Sequence, residues 1–287
     1  QLVTVALQWA QAQRRVARKF GERSIIADRT GLEMASAYEV AEHKAQRFFR
    51  VMPEHATLID AGCGIGGDLL AFADQAAGRR VYGIDRDPMR AWMARRNANV
   101  PTLAADIEHV LRPIALNCDG RSESEQLTEL YLHVDPSRRD ERSGRRRLRE
   151  VEALAPTWSW IEQMRHRVAG GCVKLGPGVD VEGLPCDVSW QWVQRGGALV
   201  ELRMWFGRLA DEPALREVVM LPGAHTFTGH VDVAMDYDTS GAFLFEPEPG
   251  IERAGLLGAL AVQHGLRGIM PGLGLLVADD AVDSPWV

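Results

Sequence analysis

The spacing of apolar positions changes twice along this chain. Up to about residue 50, Leu2, Val5, Ala6, Trp9, Ala12, Val16 and Phe20 recur at steps of three and four. After a break across 21–31 the same spacing returns over 36–51 and is closed by Pro53. That period predicts two helices, each with one apolar face. From about 55 to 222 short apolar runs alternate with helical stretches, as in a doubly wound α/β sheet. The runs include Leu58-Ile59, then 81–85, 130–134, 172–175, 188–193 and 198–206. Gln194-Arg195-Gly196-Gly197 separates the last two and predicts an antiparallel hairpin. Beyond Pro222 the texture shifts again, with strands expected over 226–235 and 241–245 and a helix over about 251–264. The chain therefore divides into 1–52, 53–222 and 223–287.

The first strand of the alternating region carries the most informative chemistry. In TLIDAGCGIGGD, residues 57–68, an apolar run ends in Asp60 and breaks into Gly62, Gly64, Gly66 and Gly67 before a new apolar segment. A strand, a tight glycine turn and a helix start are expected, because glycine lets the backbone turn sharply and lie against a ligand. The helix start adds unpaired N–H groups and a positive dipole end. Two nucleotide classes fit the turn. Gly62, Gly64 and Gly67 match G-x-G-x-x-G, the dinucleotide fingerprint. Residues 60–66 equally match D-x-G-x-G-x-G, which resembles the first motif of class I S-adenosylmethionine methyltransferases. Asp60 favours the second, since a carboxylate there repels pyrophosphate but accepts from the α-ammonium of a methionine moiety.

Later strand ends extend the pattern. Asp85 follows Val81-Tyr82-Gly83-Ile84, 25 residues after Asp60, and suits ribose hydroxyls in either cofactor class. PTLAADIEHV places Asp106 at the end of a short third strand, and Leu130-Tyr131-Leu132-His133-Val134 runs into Asp135-Pro136. A strand-end acid is ordinarily a helix N-cap. Four in succession point to a ligand instead.

The resemblance extends over the whole chain. TGLEMAS (30–36), VAEHKAQRF (40–48), AGCGIGGDLLAFA (61–73), GIDRDPMRA (83–91), VDPSRR (134–139), VKLGPG (173–178) and FEPEPGIERAGLL (245–257) resemble a bacterial family of methyltransferases with a C-terminal THUMP-like domain. More distantly, the chain is similar to the cap guanine-N2 methyltransferases. The resemblance implies a Rossmann-like class I methyltransferase sheet, parallel with a C-terminal antiparallel hairpin. It also implies a helical N-terminal extension and a small α+β C-terminal domain. S-adenosyl-L-methionine is the implied cofactor, held by Asp60, Gly62, Gly64, Gly66, Asp85, Arg86, Asp106 and Ile107. Asp135 and Pro136 are the implied catalytic pair, and methyl transfer to a nitrogen of an RNA base is the implied reaction. A small-molecule or protein acceptor, or a non-catalytic S-adenosylmethionine-binding module, are the alternatives.

One departure bears on the acceptor. Amine methyltransferases usually show (Asp/Asn)-Pro-Pro-aromatic, whereas this chain has Asp135-Pro136-Ser137-Arg138. Base stacking must come from elsewhere, with Trp158 and Trp160 as candidates against a core-packing role. Directly after the motif, seven arginines lie between 138 and 149, interrupted by Asp140 and Glu141. They form either a basic rim that meets phosphates or a solvated loop. Arg138 and Arg139 are placed to ion-pair with Asp135 or Asp60, or to hold a substrate phosphate.

Composition narrows the surroundings. A net charge of −6 gives no global attraction to nucleic acid, so an RNA partner needs a local patch. Cys63, Cys118, Cys172 and Cys186 show neither paired metal spacing nor a disulfide framework, which suits a reducing cytoplasm. Cys63 reads as a small filler in the turn. No metal is expected, because no histidines pair at i, i+4. Nor is a membrane span or signal peptide expected, for want of a long apolar run. The chain opens at Gln1 and stops at DSPWV, so a trimmed front and an incomplete last domain are expected.

Overall fold

The computed structural model describes residues 14–114, 129–138, 154–213 and 215–287. Arg139 and the arginine-rich run after it lie outside these residues, and of Arg138 only the backbone is described. By contacts the chain forms two compact units, 1–174 with 206–209, and 175–205 with 210–287. These are packing units, drawn on a different basis from the three segments read from the sequence.

In the first unit, residues 14–20 are helical and are followed by α1 (Arg29–Met34) and α2 (Tyr38–Val51). Five parallel strands come next: β1 (Thr57–Ala61), β2 (Arg80–Asp85), β3 (Thr102–Ala104), β4 (Leu130–Val134) and β7 (Gly170–Leu175). Between them run α3 (Gly67–Gln75), α4 (Pro88–Ala98), α5 (Ile107–Ile114), a two-stranded ribbon of β5 (Ser137–Arg138) with β6 (Leu154–Ala155), and α6 (Trp158–Arg165). Their order in the sheet is β7-β4-β1-β2-β3. The order reverses between β1 and β4, and α/β sheets bind ligands at the carboxyl ends of strands beside such a reversal.

Local chemistry accounts for the elements. In α4, Asp87 Oδ1 accepts from Met89 N at 2.8 Å and Arg90 N at 3.2 Å, and Pro88 sits in the first turn. Asn99 closes that helix in the left-handed region, with Arg95 and Arg96 against its negative dipole end. β1 and β4 are almost wholly buried, as strands covered on both faces must be. Their parallel register sets Asp60 beside His133 and Ala61 beside Val134.

The second unit holds β8 (Ser189–Arg195) and, up to Trp205, β9 (Ala198–Gly207), the antiparallel hairpin expected from the Gly-Gly turn. β10 (Arg216–Leu221) runs parallel to β8 and pairs antiparallel with β11 (His225–Gly229). The alternating pattern did not single out β10. The strand expected over 226–235 is shorter, ending at Gly229. Further on come β12 (Phe243–Phe245), α7 (Pro249–Arg253), α8 (Leu257–His264), β13 (Arg267–Gly268) and β14 (Leu276–Ala278), with the three strands in the order β12-β14-β13. The single helix expected over 251–264 is two, because Gly255 adopts a φ of +70° and breaks the helical path. Inside this unit Gln191 accepts from Arg203 Nη1 at 2.9 Å and from Trp205 Nε1 at 3.2 Å, and Arg203 ion-pairs with Glu201. Gln191 on β8 thus partners buried polar groups of β9 across the hairpin.

Candidate functional site

The glycine turn is tied to the strands on both sides of it. Gly62 N donates to Ile84 O at 2.8 Å, and Asp135 N donates to Ala61 O at 2.9 Å. Gly62 has a φ of +80°, and a Cβ on it would lie 2.5 Å from the Asp135 carbonyl oxygen. Only glycine fits a left-handed backbone packed this closely. Gly62→Ala should therefore lose about 1–2 kcal/mol from backbone strain alone. It should also force the turn away from Asp135, which lowers the melting temperature and ligand affinity together. Wild-type values of both would refute this account of Gly62.

Asp85 anchors the next part of the turn. Its Oδ2 accepts from Gly64 N at 2.8 Å and its Oδ1 from Asp87 N at 2.9 Å. Asp106 lies two residues beyond β3 and caps α5, accepting from Glu108 N at 2.9 Å. Asp60 is fully buried, and its Oδ1 lies 2.7 Å from His133 Nδ1. Its Oδ2 is also buried and has no hydrogen-bond partner. Burial holds the Asp60 carboxyl above the usual carboxylate range, against the pull of His133.

All four acids border one cavity of about 960 Å³, together with Gly62, Gly64, Arg86, Ile107, Pro136 and the α1 residues Gly31 and Met34. The cavity opens at the carboxyl ends of β1, β2, β3 and β4, and Gly67 brings the N-terminus of α3 to its wall. Its size suits a nucleoside-sized ligand. The unpartnered Asp60 oxygen, the amides at a helix start and the acid at the β2 end match the ammonium, carboxylate and ribose of an amino-acid nucleoside.

Three expected residues stand elsewhere. Gly66 turns at a φ of +87° against α4, where a Cβ would meet Ala94 Cα at 2.9 Å; its role is to let two helices approach. Trp160 is buried, and neither it nor Trp158 borders the cavity, so both tryptophans serve the start of α6. Among the described residues bordering the cavity, His109 carries the one aromatic ring. Cys63 does border it, but burial, with Asp60 and Asp85 nearby, pushes its thiol well above the ordinary value. It is no nucleophile in that state.

Sequence reading missed the groups beneath the cavity. Lys44 is fully buried on α2, donating to Asp68 Oδ1 at 2.8 Å, with its Nζ 3.1 Å from His133 Nε2. Ser36 Oγ donates to Asp68 Oδ2 at 2.9 Å. Lys174 Nζ donates to Asp135 Oδ2 at 2.7 Å and lies 4.0 Å from Asp68 Oδ2. Burial alone would raise the Asp68 carboxyl, but Lys44, His133 and Lys174 hold it far below the usual range. Asp68, in the first turn of α3, is thus the carboxylate that these groups share. The one signal available in sequence was the lysine at position 44 among the mainly apolar buried positions of α2.

Among the described residues no group of three or more His, Cys, Asp or Glu side chains is placed to hold a metal ion. No described helix is long and apolar enough to cross a membrane.

No family model matches the chain. Two curated relatives, both named uncharacterized S-adenosylmethionine-dependent methyltransferases and both from Mycobacterium tuberculosis (strains CDC 1551 and H37Rv), are 26% identical over 253 residues. The match covers 86% of this chain and 64% of each relative, so the chain spans just under two thirds of their length. A solved structure of a candidate methyltransferase from Porphyromonas gingivalis W83 superposes with a TM-score of 0.70 at 20% identity. It covers 91% of this chain and 65% of that one, and it shows a shared fold.

Proposed function

We propose that this chain is an S-adenosylmethionine-dependent methyltransferase. The observation that carries the reading is the convergence of four strand-end carboxylates, Asp60, Asp85, Asp106 and Asp135, on one cavity beside the sheet reversal. The names of the mycobacterial relatives and the fold shared with the Porphyromonas protein support it. In this reading Asp60, Gly62, Gly64, Asp85, Arg86, Asp106 and Ile107 hold the cofactor, with Gly66 shaping the turn from behind.

When bound, the cofactor supplies a methyl group already activated by a sulfonium, so catalysis rests on positioning. Asp60 receives the ammonium, Asp85 takes ribose hydroxyls while fixing Gly64, and Asp106 and Ile107 line the far wall. Asp135 faces the acceptor. Its carboxylate accepts a hydrogen bond from the attacking group and orients its lone pair. Lys174 holds Asp135 Oδ2, which fixes the carboxylate plane.

Asp85→Ala should weaken binding of S-adenosylhomocysteine by at least about tenfold, the equivalent of 1.4 kcal/mol. It removes the ribose contact and frees the Gly64 amide at once. Calorimetry checks this, and an unchanged affinity would remove Asp85 from the site.

For the acceptor we propose a nitrogen of an RNA base. Its support is the Asp135-Pro136 pair at the cavity and the arginines that follow it in sequence, which suit phosphates. The test is transfer of labelled methyl to fractionated RNA from a strain lacking the protein, followed by nucleoside analysis. Label in a small-molecule or protein fraction instead would overturn the RNA reading. Cofactor binding with no transfer to any fraction would leave a binding module.

A further inference from the structure

The polar groups under the cavity form a connected path from one end of the site to the other. Asp60 Oδ1 meets His133 Nδ1 at 2.7 Å, His133 Nε2 meets Lys44 Nζ at 3.1 Å, and Lys44 meets Asp68 at 2.8 Å. Lys174 then stands 4.0 Å from Asp68 and 2.7 Å from Asp135. Phe72 and Phe48 meet the His133 ring edge-on, at centroid distances of 5.3 and 6.5 Å.

The donors fix the direction of the path. Lys44 is a donor only, so Nε2 of His133 accepts and its proton sits on Nδ1, directed at Asp60. Over these six residues two lysines face three carboxylates. Asp68 and Asp135 are the ones in contact with lysine. Asp60 meets the His133 ring N–H at Oδ1, and its buried Oδ2 has no hydrogen-bond partner.

We propose that Asp60 carries a proton on Oδ2 in the ligand-free protein and exchanges it for the primary ammonium of an amino-acid nucleoside, with His133 and Lys44 as the positioning pair. This rests on the cofactor reading above. The balance is simple: the Asp60 O–H bond breaks, its proton goes to solvent, and the ammonium takes its place against Oδ2 with no change in the buried net charge. Burial, the main cause of the raised Asp60 carboxyl, agrees with this. So do the other groups facing it. Asp68 on α3 and Asp135 after β4 both disfavour a further negative charge at Asp60. Cys63 in the turn stays a thiol, raised chiefly by its burial. Lys44 on α2 and Lys174 on β7 are already matched to carboxylates.

The sign of the pH dependence follows. Below the Asp60 transition the proton competes with the ammonium, so affinity should fall as pH falls, approaching about tenfold per pH unit. Calorimetry of the full chain with S-adenosylhomocysteine, between pH 5.5 and 7.5 and in buffers of different ionisation enthalpy, should show this fall and release of up to about one proton per ligand. Methylthioadenosine, which lacks the amino-acid portion, should bind with neither effect. Asp60→Asn should abolish proton release and weaken the homocysteine nucleoside selectively. His133→Phe should move the transition to higher pH, and His133→Asn, which restores an N–H donor, should return it towards wild type. A structural role for His133 would not produce that rescue. Binding of S-adenosylhomocysteine that is flat with pH and releases no proton overturns this inference and leaves the cofactor reading intact. Proton release with methylthioadenosine also overturns it. Failure of both nucleosides to bind overturns the cofactor reading and this inference with it.

Discussion

Lys44→Met is expected to destabilise the protein by about 3–5 kcal/mol, the usual result of removing one partner of a buried ion pair. Lys44 is fully buried and Asp68 nearly so, at 0% and 6% side-chain exposure, so little solvent screens the charge left behind. The substitution also strips His133 Nε2 of its donor. Denaturant unfolding near pH 7 checks the magnitude. Replacing both partners, Lys44→Met with Asp68→Leu, should recover part of the loss, because no lone buried charge then remains. The pH dependence has a definite sign. The Asp68 carboxyl is held below its unfolded value, so the stability it contributes is complete above the unfolded value of about 4 and is lost as pH falls below it. Wild-type and Lys44→Met unfolding should therefore converge in acid, and a constant difference down to pH 2 would contradict this assignment.

Asp135→Ala should reduce methyl transfer by about 10²–10⁴-fold, the range for loss of a positioned acid–base group, while S-adenosylhomocysteine affinity stays near wild type. The two effects separate if Asp135 has the proposed acceptor-facing role, since it borders the cavity and its own partner is Lys174. Asp135→Asn, which keeps an acceptor oxygen but removes the charge, should retain more activity than the alanine variant. Single-turnover transfer of labelled methyl distinguishes them. Full turnover in Asp135→Ala would return the acceptor role to another residue.

The cavity differs from what the sequence suggested in one respect. Trp158 and Trp160 were the candidates for stacking on a base, and both lie away from the cavity at the start of α6. Trp160 is buried there and Trp158 half-buried, and packing is the ordinary fate of an aromatic at helical spacing. His109 is the ring at the cavity instead. It sits three residues after the helix-capping Asp106.

Local grammar made half of the site readable in advance. A glycine run after an apolar strand, a Pro-started helix behind an Asp cap, and acids at the ends of β-type runs are written in neighbouring residues, where backbone sterics and capping act. Asp60, Asp85, Asp106 and Asp135 were legible for that reason, as was the β8–β9 hairpin. The helix over 251–264 was misjudged because periodicity does not register one left-handed glycine. Lys44, His133 and Lys174 were not legible. Each pairs with a residue far along the chain, 89 positions from Lys44 to His133 and 73 from His133 to Asp60. A lysine's sequence neighbours do not say whether its charge will meet water or a carboxylate. The sequence alone determined the sheet, its glycine turn and the acids at its strand ends. Only the parallel register of β1 with β4, and the packing of α2 beneath them, decided which charges are buried together, because the cost of burying a charge is met by partners that other elements bring.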